Sequence, residues 1–205
     1  MSRSTRTRFE VLILLVFVTG CGRAETLPVR VESLRDNLPA LREAAQAWRP
    51  DAYLADASVP LLDEGGGALL LDGGFQSPSE QSESLLVRLL EDGTMQAEVV
   101  PHTVPVIQVE PITDDDWRVD STEALERGLD EEGRRYLEEH STWDCSFLAL
   151  ERSGREPGSP VVWRLLLTDC LDPWSAQEAI LDAMSGEVIS REVHTPSTRM
   201  PVPTL

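Results

Sequence analysis

Two stretches of this chain carry the same parts in the same order at nearly the same spacing. From Leu54 to Gly93 is 39 residues, and from Leu148 to Gly186 is 38. Each stretch follows a helical run and reads as strand, glycine loop, strand, turn and closing hairpin. Tyr53-Leu-Ala55 aligns with Phe147-Leu-Ala149, and Leu90-Glu-Asp-Gly-Thr94 with Ala183-Met-Ser-Gly-Glu187. A helix with one apolar face can cover one face of a four-stranded antiparallel sheet. A unit of about 70 residues doing so alone has a modest core. The spacing therefore predicts an α+β protein of two tandem helix-plus-antiparallel-sheet units, residues 37–111 and 112–194, each a helix on a meander of about four strands. The alternative is one sheet with two helices and no duplication.

Local signals place the elements. Asn37 is a good N-cap, and Pro39 is tolerated in a first turn because its missing N–H would have no partner there. Leu34, Leu38, Leu41, Ala45 and Trp48 share one face of this helix, and Pro50 ends it. Ala52 to Ala55 reads as a strand, Gly65 to Gly67 as a loop, and Ala68 towards Phe75 as a second strand. Ser77-Pro-Ser79 turns the chain. Asp92-Gly93 between two strand-like runs predicts a hairpin of Leu85–Leu90 with Met95–Val100. Pro101, Pro105 and Pro111 argue against a central strand, so a unit boundary falls between about Val100 and Asp120. Asp120 as N-cap, with Glu123 three residues on, opens a second helix running to His140. Leu125, Leu129, Tyr136, Leu137 and His140 form its apolar face, and Gly133 weakens its middle. Strands follow at Trp143–Glu151, Val161–Asp169, Ala179–Met184 and Glu187–Val193. The tail, 195–205, holds three prolines and reads as disordered.

Ala179-Ile-Leu-Asp-Ala-Met-Ser-Gly-Glu-Val-Ile-Ser-Arg191 resembles the final hairpin of PepSY-like domains, which ends in a DA-x-(T/S)GE-V pattern. Trp163, at the start of its strand, is also in keeping with that family. The resemblance covers Trp117 to Val193 and makes the N-terminal half a more diverged copy. It implies an acidic-capped helix before an antiparallel sheet, an exported or membrane setting and an inhibitory or binding role. It carries no catalytic residues over to this chain.

The N-terminus supplies an address. Arg3, Arg6 and Arg8 precede eight apolar residues, Val11 to Val18, which suit an export signal but are too few to span a bilayer. Glu10 stands at the edge of that run. Val18-Thr-Gly-Cys21 resembles the lipobox of bacterial lipoproteins, which implies cleavage before Cys21 and lipid on its sulfur. An ordinary cleaved signal with a chance cysteine is the alternative. Residues 1–20 are thus read as signal peptide and 21–36 as tether. The anchor implies a cell-envelope setting. Gly22 resembles lipoproteins sent to the outer membrane of Gram-negative cells, facing the periplasm. In a Gram-positive cell the anchor would sit on the outer face of the cytoplasmic membrane.

Once the signal's three Arg and one Glu are removed, 15 basic and 35 acidic residues remain, a net of −20. Such a charge repels nucleic acid and anionic headgroups, so no nucleic-acid partner is expected. The remaining cysteines, Cys145 and Cys170, make an even pair in an exported chain and read as a disulfide. Two buried free thiols are the competing reading. If the two face each other in a hairpin, Glu151 lies opposite Arg164, Leu148 opposite Leu167, Leu150 opposite Leu165 and Arg152 opposite Trp163. The leucine side is then the one the helix covers.

No nucleophile elbow, P-loop, HExxH or CxxC motif occurs. His102, His140 and His194 lack metal-ligand spacing, so no metal or cofactor is expected. Asp114 to Asp116 with Asp120 lack the glycine and glutamate of an EF-hand loop and read as acids favoured near a helix start. Trp48, Trp117, Trp143, Trp163 and Trp174 read as core or element-end anchors. The first functional expectation is a non-catalytic lipid-anchored protein that binds or modulates another exported protein or peptide. An envelope hydrolase would show a polar pocket of perturbed titratable groups. A structural component would show a broad apolar patch.

Overall fold

The computed structural model describes residues 29–61, 69–104, 107–139, 145–170 and 176–194. In chain order the elements are α1 (Leu34–Trp48), β1 (Tyr53–Pro60), β2 (Leu69–Ser77), β3 (Glu80–Leu90) and β4 (Met95–Pro101), then α2 (Ser121–Gly128), α3 (Glu131–Glu139), β5 (Phe147–Arg152), β6 (Val161–Thr168), β7 (Ala176–Asp182) and β8 (Val188–His194). Cys21, the 65–67 loop, His140, Trp143, Trp174 and the tail lie outside the described residues.

All eight strands join one antiparallel sheet in the order β4-β3-β2-β1-β5-β6-β7-β8. Each half contributes a four-strand meander, and β1 pairs with β5 to join them, Ala57 opposite Leu150 and Val59 opposite Leu148. The two sheet units expected from the repeat are thus one continuous sheet whose order runs outwards equally from the centre. The helices share a face of it. Val87, Gly73, Ala57, Leu150, Trp163 and Leu181 form one row across six strands, and all are buried. α1 closes on that row from the first half: a Cβ on Gly73 would sit 3.4 Å from Leu41 Cδ1. α2 closes on it from the second, since a Cβ on Gly128 would sit 3.1 Å from Leu165 and 3.3 Å from Leu181.

The helices differ from the sequence expectation at their ends. α1 starts at Leu34, with Ser33 as N-cap accepting from Asp36 N at 3.1 Å. Asn37 instead donates to Ser33 O. The segment read as tether is packed from Val29 onward, with Val29, Val31 and Leu34 in the core. The second helix is two: α2 ends at Gly128, and Asp130 Oδ1 accepts from Gly133 N at 2.8 Å to open α3. Gly133 is not the weak point. It is the residue that lets α3 approach the sheet, where a Cβ would meet Leu167 Cδ1 at 3.2 Å.

The N-termini of α1 and α2 meet and cap each other. Ser121 Oγ accepts from Leu34 N at 2.9 Å and donates to Glu32 O, while Asp120 Oδ1 accepts from Arg35 N at 3.0 Å. Asp120 is the N-cap of α2, yet its side chain makes no bond to its own helix. Its acceptor capacity satisfies one of the four N–H groups that the start of α1 leaves open. Glu123, expected to complete a capping box, pairs with Arg127 one turn on.

The disulfide is present: Cys145 and Cys170 are bonded, with Cα atoms 5.4 Å apart. The register around it is offset by two residues from the one expected. Leu148 faces Leu165, Leu150 faces Trp163 and Arg152 faces Val161. The cysteines therefore lie beyond the last ladder pair of β5 and β6 rather than within it. An even offset leaves every side chain on its expected face, so Leu148, Leu150, Leu165, Leu167 and Trp163 are all buried under the helices. Glu151 and Arg164 become diagonal neighbours and still bond at 2.7 Å.

Candidate binding surface

Alternation puts a second set of side chains on the sheet face that carries no helix among the described residues. One row runs Gln96, Arg88, Asp72, Ser58, Ala149, Arg164, Ile180 and Ser190 across all eight strands. The next contains Glu98, Leu86, Gly74 and Asp56, continued by Glu151, Val162 and Asp182. The face is polar and rich in carboxylates. The two arginines of these rows are already engaged, Arg88 with Glu98 at 2.8 Å and Arg164 with Glu151 and Glu178. Among the described residues no cation pairs with Asp56 or Asp72.

These two acids sit at the centre of the sheet. Asp56 retains solvent exposure but lies against Gly74, where a Cβ would come 2.7 Å from its Oδ1. Any side chain at position 74 would displace that carboxylate. Desolvation pushes the Asp56 carboxyl up, and the nearby Glu151 charge adds to the effect. Asp72 is pushed up to about 6, first by desolvation and then by the Asp56 charge, with Arg88 only partly offsetting them.

The centre of this face is a groove of about 490 Å³. Asp56, Ser58, Phe147, Ala149 and Glu151 line it together with Val109, Gly154 and Arg155. Val109 is fixed in place: Gln76 Oε1 accepts from Val109 N at 3.1 Å, and the Tyr53 hydroxyl lies 2.9 Å from Val109 O. Arg152 holds the following segment by donating to Glu110 O and Pro111 O and pairing with Asp116 at 3.4 Å.

An ionised Asp72 costs stability. A carboxyl whose folded pKa is raised favours folding while protonated; that contribution is complete below 3.8 and lost as pH climbs to about 6. Asp72→Asn should therefore stabilise the protein at pH 8 by about 1 kcal/mol after allowing for solvent screening, a rise of about 3 °C in Tm. At pH 3.5 the gain should vanish. An equal shift in Tm at both pH values would remove the electrostatic explanation.

The remaining candidates fall as follows. Trp163 and Trp117 are core residues, packed edge to face at 6.2 Å, and Trp48 packs against the same cluster. The acids considered for calcium have dispersed: Asp114 pairs with Arg42, Asp116 with Arg152, and Asp120 caps α1. Ser84 Oγ and His102 Nε2 lie 2.9 Å apart, with no carboxylate on that histidine among the described residues. Glu178, Glu192 and His194 bring one ligand atom each within 4.8 Å, a grouping the sequence analysis missed. Its only signal was Glu192-x-His194, which places both on one face of β8, and Glu178 is already bound to Arg164.

Three helices packed on one face of a continuous antiparallel sheet, with no helix on the other among the described residues, define a two-layer α+β protein. No family model and no curated relative matches the chain. Among solved structures it is similar to that of a putative lipoprotein from Clostridium difficile 630, at 10% identity and a TM-score of 0.39, over 81% of this chain and 95% of that one. At that level of similarity, function has to be argued from this chain's own residues.

Proposed function

We propose that this is a non-catalytic, lipid-anchored cell-envelope protein that binds another exported protein or peptide through the helix-free face of its sheet. The observation that carries this reading is a sheet face with no helix on it among the described residues and, at its centre, two carboxylates that form no ion pair there. Charge complementarity specifies the occupant, a surface bearing Arg or Lys. A guanidinium or ammonium over Asp56 and Asp72 would offset the desolvation and repulsion that now raise both. The PepSY-like reading of the C-terminal half supports the same role and rests on the Ala179–Arg191 hairpin and Trp163. The broad apolar patch expected of a structural component finds little support: the most exposed apolar residues on strands, Val99 and Ile189 with Val193, lie on opposite edge strands.

Anchoring rests on the Val18–Cys21 segment. Three acyl chains would hold the protein essentially permanently, since one alone is marginal. Cys21→Ala should leave the precursor uncleaved by the lipoprotein peptidase or release the protein to the soluble fraction. A variant that fractionates and migrates like the wild type would refute the anchor. Binding is tested by covalent capture of a partner from the open face in intact envelopes.

A hydrolase remains the second reading, and the raised Asp72 beside a polar groove is what favours it. It requires Asp56 or Asp72 to move a proton at a bound substrate, so Asp→Asn would abolish turnover while leaving substrate affinity largely intact. In the binding reading the same change weakens the partner's grip.

A further inference from the structure

The helix side of the molecule holds a second cleft, across the sheet from the surface just described. It measures about 440 Å³ and lies between the first two turns of α1 and residues 114–118. On α1, Arg35, Leu38 and Arg42 fall at helical spacing and line it, and Arg118 and Trp117 face them. Three guanidinium groups thus converge on one cleft of a chain whose net charge is −18.

Their partners leave acceptor room. Arg35 stacks over the Trp117 ring, 5.0 Å from its centroid, and donates to Arg118 O. Arg42 pairs with Asp114 at 2.8 Å, but the Asp114 side chain is 74% exposed. Hydrogen bonding to Arg42 holds that carboxyl below its usual range, and the Arg42 and Arg35 charges contribute. Asp114 therefore acts as an exchangeable surface anion on Arg42. Arg118 makes no side-chain ion pair among the described residues.

The cleft wall also contains an unsatisfied donor. Trp117 is 3% exposed, and its indole N–H is buried with no hydrogen-bond partner. The neighbouring Trp163 N–H, by contrast, donates to Val119 O at 2.8 Å. A buried donor left unpaired costs about 1–3 kcal/mol, so native proteins seldom leave one without a bound water or ligand.

We propose that this cleft binds a small organic oxyanion, a carboxylate or phosphate ester, through Arg42 and Arg118, with its apolar body on Pro39. The Trp117 N–H is itself closed to solvent, and it senses the bound anion through the ring on which Arg35 stacks. A ligand carboxylate or phosphate displaces Asp114 into solvent, where its charge is readily hydrated. The volume suits a small molecule, and the site is independent of whatever occupies the open sheet face.

The test uses the full-length chain in detergent, with the indole N–H resonances of Trp117 and Trp163 followed by nuclear magnetic resonance. The probes are phenyl phosphate, benzoate and monomeric dihexanoyl phosphatidate, at ionic strength fixed with sodium chloride. Phenol serves as the neutral control. A saturable shift of Trp117 with Trp163 unmoved is expected for at least one anionic probe. Saturation by the phosphatidate alone would make a lipid headgroup the source, and saturation by the free anions a soluble metabolite. Arg118→Gln removes an exposed side chain that forms no ion pair among the described residues and should weaken binding about tenfold or more, the loss of one charge-assisted hydrogen bond. The proposal is overturned if no anion saturates, if phenol gives the same shift, or if Arg118→Gln binds as tightly as the wild type.

Discussion

Trp163→Ala is expected to cost about 4 kcal/mol, near the centre of the range for deleting a buried indole. Trp163 is fully buried in the row that both helices cover. Its N–H donates to Val119 O at 2.8 Å and so ties the connector to β6. The substitution opens a cavity, removes the edge-to-face contact with Trp117 and leaves a buried carbonyl short of a partner. Ordinary domains have about 5–15 kcal/mol in total, so the variant should melt about 10 °C lower. Leu86→Ala, on the open face, should cost far less because Leu86 is only half-buried. If the two variants melt together, the core has been assigned to the wrong face.

Removing the disulfide should have the next largest effect. The bond closes a loop with a sequence separation of 25 residues, for which a chain-entropy model gives about 3 kcal/mol, although the origin of that stabilisation is disputed. Replacing both Cys145 and Cys170 with serine should lower stability by about that amount without changing the register of β5 and β6. The register should survive because Ser146 Oγ accepts from Thr168 N at 2.9 Å and the Glu151–Arg164 pair persists. Counting thiols on the denatured, unreduced protein is the direct check. No reactive thiol from these two positions is expected, and two would end the disulfide assignment.

What the sequence makes legible here is mostly local. The Asp92-Gly93 and Ser185-Gly186 turns need a positive φ at glycine, and the structure has it at both, 78° and 72°. Alternation assigns Leu148, Leu150 and Leu165 to the covered face despite a register offset of two, because an even slip preserves faces. Helix ends are less legible. Asp120 is the expected N-cap of α2, but α1 starts at Ser33 although Asn37 offers an equally good cap nearby, and tertiary contacts decide between those two. The polar run Glu80 to Ser84 extends β3 although its residues have poor strand propensity. It pairs with Val100 and Pro101 on the edge strand, where solvent tolerates polar side chains.

The β1–β5 pairing has no local signature. It joins residues about 90 positions apart, and nothing in either strand distinguishes a partner in the other half from solvent. The same holds for the surfaces. Asp56 and Asp72 meet because β1 and β2 pair, and Arg35, Arg42 and Arg118 converge because the connector returns along α1. Spacing along the chain could not have found either set.

Binding through the open face is tested most directly by photo-crosslinking in intact envelopes. A photoreactive residue is placed at Ser58 or Ser190 on the helix-free face, and at Glu126 or Arg135 on the exposed side of the helices. The account predicts adducts with an exported protein bearing a basic surface from Ser58 and Ser190 only. It also predicts their loss when Asp56→Asn and Asp72→Asn are combined, a change that spares the fold. Adducts from the helix side alone, or adducts from Ser58 that persist undiminished in the double variant, would contradict it.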